Sequence, residues 1–418
     1  MQSFLKVFQS QKMVALLLLG FASGLPLYLS DRTLQAWMTV EGIDLKTIGL
    51  FSLVALPYSL KFLWAPFLDR FIPPFLGRRR GWLVIAQVLL VVAIAAMSLQ
   101  SPKQAIDLLA ANALAIAFFS ATQDIAADAY RTDVLEQPEL GAGAAIFVLG
   151  YRIALLLTGA LALRLADQMP WNSVYLVLAA VMSISILFSI FAPEPVLQVK
   201  PPSNLAEMVI QPFQEFFGRS GWLRGGLILL FIMLYKLGDV FVSKMATPFL
   251  LQTGFTQTAI GDIQGGMGLI ATIVGTLVGG ALLSRIGINR SLWVFGGLQA
   301  ISNLAYFALA QVGQNYMGLV LAVNIENFCG GLGTAAFLGF LMSLCNQRFS
   351  ATQFALLSSF MAVSRDLLGA STGQIADQTG WPAFFLLSAI VAIPGLLLLP
   401  VFAPWNSPPP SLNRPGSD

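Results

Sequence analysis

The sequence predicts an all-α membrane protein: twelve transmembrane helices in two six-helix bundles, with both termini cytoplasmic. Three observations point there: a composition too poor in charge for a water-facing surface, apolar segments of spanning length, and an internal repeat. Hydrophobic residues make up 57% of the 418 and charged residues 10%, and mean hydropathy is +0.77. A soluble domain carries about 25% charged residues, so most of this chain's surface has to meet lipid.

The apolar segments lie near 13–38, 47–67, 82–100, 105–128, 141–163, 172–192, 223–251, 258–284, 291–311, 316–344, 352–375 and 382–402. Each can cross roughly 30 Å of hydrocarbon as a helix. The first follows Lys12 directly and has no small-residue cleavage signal, so it reads as a retained span. Basic residues set the orientation. With the N-terminus inside, Lys6, Lys12, Arg70, Arg78, Arg79, Arg80, Arg131, Lys200, Arg219, Arg224, Arg285, Arg290, Arg348 and Arg414 are cytoplasmic, against Lys46, Lys103 and Arg164 outside. The net charge of +3 reflects these loops and implies no nucleic-acid partner.

Cys329 and Cys345 fall on one predicted helix, roughly 24 Å apart, and cannot pair. The chain has no His. Proton chemistry therefore has to run on carboxylates, a His-based metal site is excluded, and no cofactor is expected.

The repeat relates "LADQMPWNSVYLVLAA" at 165–180 to "IADQTGWPAFFLLSAI" at 375–390, placing Ala166–Asp167–Gln168 over Ala376–Asp377–Gln378 and Trp171 over Trp381. Two parallel six-helix halves are the plan of a major facilitator transporter. The predicted division is a first bundle over 1–192, a cytoplasmic linker over 193–222, a second bundle over 223–403 and a disordered tail over 404–418. Within the linker, "NLAEMVIQPFQEFF" suits a short interfacial amphipathic helix. The loop "LDRFIPPFLGRRRGW" carries Asp69–Arg70 and Gly77–Arg78–Arg79–Arg80. It is read as a set of ion pairs that latch the halves on the cytoplasmic side, against the plainer reading of a basic loop that only sets topology.

Ionisable residues inside the spans are Asp31, Arg32, Lys61, Asp124, Asp128 and Arg152 in the first half, and Lys236, Asp239, Lys244, Glu326, Arg365 and Asp366 in the second. A charge at mid-membrane costs several kcal/mol unless paired or wetted, so each is a functional candidate. Most fall on the first, fourth, seventh and tenth spans, which line the pathway in this plan. Lys236 and Asp239, spaced i, i+3, and Glu326 lie near mid-membrane by residue count. Asp124, Asp128 and Arg131 share a face of the fourth span, Asp124 deeper and Asp128 near the cytoplasmic end. A carboxylate shielded from water can take up a proton near neutral pH. Asp124, Glu326 and Asp239 are therefore the proton-coupling candidates, the competing reading being satisfied structural pairs. Asp128 and Arg131 join the gate.

The cations Arg32, Lys61, Arg152, Lys236, Lys244 and Arg365 suit an anionic solute, and Asn324 and Asn327 flank Glu326 with further polar groups. Tyr28, Trp37, Tyr58 and Trp64 are placed to stack on sugar rings or to anchor the interface. "GFASG" at 20–24 supplies small residues for close helix packing.

At these residues the sequence resembles the AmpG-type muropeptide permeases of the major facilitator superfamily. The matching stretches are "GFASGLPL", "TLQAWMTVEGIDLKTIGLFSL", "KFLWAPFLDR", "PPFLGRRRGW", "SATQDI", "GAGAAI", "VLGYR", "FFGR", "YKLGD", "ENFCGGLGT" and "FSATQFALLS". The resemblance implies import of anhydromuropeptides from the periplasm across the bacterial inner membrane, driven by protons and feeding cell-wall recycling and, in some bacteria, β-lactamase induction. It also implies site roles for Ala121, Gln123 and Asp124. "SDR" at 30–32 and Asp366 depart from the expected family pattern, and twelve spans are predicted where some members carry fourteen. The expected partners are the muropeptide, protons and the bilayer, for a monomer. The alternatives are a carrier of another bulky anion such as a CoA ester, and a membrane sensor that does not transport. Without His, a metal cluster or a nucleophile elbow, an enzyme is not expected.

Overall fold

In the computed structural model, residues 10–30, 32–43, 47, 51–195, 207 and 209–406 are described. Regular structure among them is helical. Among the described residues, eight helices are long and apolar enough to cross a membrane, and two shorter apolar ones cover Gln11–Leu27 and Leu53–Leu63.

This differs from twelve uninterrupted spans for local reasons. The first predicted span divides into α1, Gln11–Leu29, and α2, Arg32–Val40, with Pro26 in the last turns of α1. The second is a chain of short pieces: 3₁₀ turns at Phe51–Ala55 and Lys61–Leu63 alternate with α3, Leu56–Leu60, and α4, Ala65–Arg70, each opened by a proline. Then follow α5, Arg78–Met97; α6, Ile106–Val134; α7, Leu140–Leu156, which passes through a π turn into α8, Ala162–Ala166; and α9, Trp171–Phe191.

The amphipathic α10 occupies Gln211–Ser220. The seventh predicted span consists of α11, Trp222–Leu234, and α12, Leu237–Gln252, parted at Tyr235–Lys236. After α13, Gln257–Ile260, and a π segment over Gly261–Met267, α14 runs Gly268–Val312. It holds most of the eighth predicted span and all of the ninth, separated at Gly287, whose φ of +81° lies in the left-handed region open to glycine. The remaining helices are α15, Tyr316–Leu344; α16, Ser350–Ala370; α17, Thr372–Thr379; α18, Trp381–Leu397; and α19, Leu399–Phe402.

The chain divides into two compact units. One comprises Met1–Leu135, Ile146–Pro212 and Cys345–Ser359; the other comprises Glu136–Ala145, Phe213–Leu344 and Phe360–Asp418. Each unit thus contains a short stretch from the opposite half of the sequence.

In the first unit α1 and α7 meet at small residues. A Cβ on Gly20 would collide with the Phe147 carbonyl oxygen, and one on Gly150 would collide with that of Leu17. The "GFASG" segment is therefore a backbone-to-backbone contact. Trp37 is buried in this unit's core, its ring 5.2 Å from Tyr175 and 6.3 Å from Trp171. It is neither an interfacial anchor nor open to a sugar. The second unit's core gathers Phe249, Tyr306, Phe384 and Phe385 with Trp381 at its edge.

Candidate functional site

In the first unit α6 carries the polar cluster that the sequence singles out. Asp128 accepts from Lys61 Nζ at 3.3 Å and from Arg131 Nη2 at 2.9 Å, so one carboxylate joins the broken second segment to α6. The Arg131 guanidinium is buried between two rings, 4.5 Å from the centroid of Phe147 and 5.2 Å from that of Phe354. Asp124, one turn from Asp128, is partly buried and within electrostatic reach of Lys61, Asp128 and Arg131. Thr122 Oγ1 accepts from Trp64 Nε1 at 3.1 Å, and Trp64 also packs on Phe118. Gln123 is buried and donates to the Ala22 carbonyl at 2.8 Å. It ties α6 to α1, with Ala121 buried nearby on the same helix. Arg152 is partly buried on α7, and Tyr58 packs against the unit's core.

The second unit builds its cluster at the helix break. Lys236 has φ −97° and ψ 3°, and its ammonium reaches four oxygens. These are Asp239 Oδ2 at 3.1 Å, Gln299 Oε1 at 3.4 Å, the Gly330 carbonyl at 3.2 Å and Thr334 Oγ1 at 3.2 Å. Four acceptors around a partly buried ammonium replace the water it has lost. Glu326 is partly buried on α15, within electrostatic reach of Asp239 and Lys236. It accepts from Asn327 Nδ2 at 3.0 Å, while Asn327 Oδ1 accepts from Thr272 at 2.9 Å. Asn324 donates to the Val320 carbonyl of its own helix, and Lys244 is exposed.

The charged loop divides its work. Asp69 Oδ1 accepts from Arg78 Nη2 at 2.6 Å, from Arg79 Nη2 at 3.0 Å and from the Ala351 backbone N–H at 3.2 Å. Its Oδ2 accepts from the Thr352 N–H and hydroxyl, both at 2.7 Å. Arg79 continues to Asp133 at 2.6 Å and to Ser350 Oγ at 2.6 Å. Arg78 also donates to the Arg348 carbonyl at 2.9 Å. All of these residues belong to the first unit. Arg80 and Arg70 stand outside the network. Arg80 pairs with Glu194 at 3.3 Å and donates to the carbonyls of Ile190 and Ala192, while Arg70 lies over the Phe71 ring. Their charges match the pattern of the loop, but their positions turn them elsewhere.

Asp31 and the side chains of Tyr28, Arg32, Arg365 and Asp366 lie outside the described residues. Several participants are not apparent from the sequence. Glu194 accepts from the backbone N–H groups of Arg79 and Arg80 at 3.0 and 3.1 Å, capping α5 from a distant segment. Gln299 and Thr334 complete the Lys236 shell. Asp133 is a visible charge in the last turn of α6, yet nothing local assigns it to Arg79.

Residues 16–371 match the model of the Major Facilitator Superfamily. The anhydromuropeptide permease of Escherichia coli (strain K12) is 50% identical over 399 residues, covering 95% of this chain and 80% of that protein. Two solved structures share the fold. The human organic anion transporter MFSD10 superposes with a TM-score of 0.70 at 17% identity, covering 94% of this chain and 99% of that one. The proton:xylose symporter XylE gives 0.69 at 10% identity, covering 96% of each. The extent of the family match, with half of all aligned residues shared with one relative, places the chain in the major facilitator superfamily and, within it, among the AmpG-type muropeptide permeases.

Proposed function

We propose that this chain carries anhydromuropeptides from the periplasm into the cytoplasm, coupled to protons, as a twelve-span monomer of the bacterial inner membrane with both termini inside. The observation that carries the substrate is the 50% identity, over 95% of the chain, to a protein named for transporting it. The two polar clusters support a charged cargo. An anhydromuropeptide presents carboxylates and amides, and cations held among polar acceptors offer it exchangeable partners.

In this reading Lys236 and Arg152 hold the solute's anionic groups, and Asp124 and Glu326 carry the transported proton. Asp239 neutralises Lys236 when no solute is present. A solute carboxylate reaching Lys236 competes with Asp239, so binding changes the charge balance felt by Glu326 nearby. Protonation of Glu326 or Asp124 from the periplasmic side favours holding the anion, and release of that proton inward favours letting it go. The inner latch is Asp69, held by Arg78 and Arg79, on the backbone N–H groups of Ala351 and Thr352, with Asp128 and Arg131 assigned to the same gate.

Counterflow tests the proposal. Liposomes containing the purified chain and loaded with unlabelled anhydromuropeptide should take up the labelled compound from a dilute external solution. Binding without exchange would make the chain a sensor, and exchange of a CoA ester in preference to the muropeptide would reassign its cargo.

A further inference from the structure

We propose that the cavity where α10 meets α11 binds the phosphate headgroup of an anionic phospholipid. The cavity measures about 230 Å³ and belongs wholly to the second unit. Its walls include Arg219 and Ser220 of α10, Arg224 of α11, Ser343 and Leu344 at the end of α15, and Phe402 of α19. Two guanidinium groups and two hydroxyls thus line one hollow, with no acidic residue among the described lining.

Each arginine is fixed to the wall. Arg219 Nη2 donates to the Leu344 carbonyl, and its Nε forms an i, i+4 ion pair with Glu215 at 3.6 Å, outside the cavity lining. Arg224 Nη2 donates to the Phe402 carbonyl at 3.4 Å. A guanidinium has five N–H donors, so these contacts orient the two forks and leave most of their donors for an anion.

The surroundings select a lipid over a soluble phosphate. Trp222 and Leu223, next to the two arginines in sequence, are 79% and 80% exposed, and Phe213 on α10 is 41% exposed. An exposed Trp on an apolar helix end marks the headgroup level of a bilayer. These side chains put the cavity at the lipid boundary, where a phosphate arrives already tethered to acyl chains that pack along them. Basic pockets at the cytoplasmic face meet the leaflet that holds anionic lipid, and this segment belongs to the side that the basic loops mark as cytoplasmic. Neither arginine takes part in the transport clusters around Lys236 and Asp128.

The test places the full chain in nanodiscs containing brominated phosphatidylglycerol or brominated phosphatidylcholine. The quenching of Trp222 is taken as the difference between the parent and Trp222→Phe. Half-maximal quenching should need at least roughly tenfold less phosphatidylglycerol than phosphatidylcholine, since each basic residue near an anionic headgroup contributes about a factor of five. Arg219→Gln combined with Arg224→Gln should erase the preference. Arg290→Gln, a basic residue outside the cavity, should leave it intact. If the double variant does not assemble, Arg224→Gln alone should lower the preference severalfold. Millimolar inorganic phosphate should fail to displace the lipid. Equal quenching by the two lipids, an unaltered preference in the arginine variants, or ready displacement by phosphate would each overturn the lipid site.

Discussion

Asp69 caps a helix to which it is not connected: its Oδ2 accepts both the backbone N–H and the hydroxyl of Thr352 at 2.7 Å. The residue before α16 is Phe349, which has no side-chain acceptor to offer. The carboxylate therefore supplies both the missing cap and the negative charge that a helix N-terminus favours. The same carboxylate holds Arg78 and Arg79, which would otherwise be buried cations with fewer partners.

Asp69→Asn should express and insert but slow muropeptide uptake roughly tenfold. Losing a charge-assisted hydrogen bond costs about 1.5–3 kcal/mol, so the apparent melting temperature should fall by several degrees. Wild-type uptake rates at unchanged expression would rule out the latch.

The contact of α1 with α7 sets a second expectation. Gly20→Ala forces a methyl into the Phe147 carbonyl, an overpacking that costs about 1–3 kcal/mol. Thermal unfolding should show a clear loss of stability. Gly226→Ala, where a Cβ meets nothing within 4 Å, should match the parent or exceed it. Equal melting temperatures for the two variants would mean that α1 and α7 do not need their close approach.

Lys236 separates a structural pair from a binding group. Lys236→Gln should raise the KM for muropeptide at least roughly tenfold. It should also lower stability, because Asp239 loses its partner. Lys236→Met combined with Asp239→Leu should recover much of the stability without recovering uptake. Recovery of both would reduce the pair to a structural tie.

The apolar character of the segments and the charge pairs one turn apart are legible in the sequence because composition and helical spacing determine them locally. Asp128 with Arg131 and Lys236 with Asp239 are i, i+3 pairs, and both form. The helix break at Lys236 is not legible, since "LYKLGD" contains no proline, and neither are the oxygens that Gln299, Gly330 and Thr334 bring to its ammonium. Nor can spacing show that Glu194 caps α5 while Asp69 caps α16. Both carboxylates act on segments far away in sequence, where only the tertiary arrangement decides the partner. Trp37 misleads for a related reason: an aromatic near a span end looks interfacial until Trp171 and Tyr175 close over it.

Energy coupling in the proposed cycle rests on Asp124 and Glu326. The decisive quantity is the accumulation ratio of labelled anhydromuropeptide in proteoliposomes under an imposed inward proton gradient. The parent should concentrate the solute inside and lose that ability when the gradient is collapsed. Asp124→Asn and Glu326→Gln should each fail to accumulate solute under the gradient, and at least one should retain counterflow. Full gradient-driven accumulation by both variants would contradict the assignment and leave Asp239 as the carboxylate to examine.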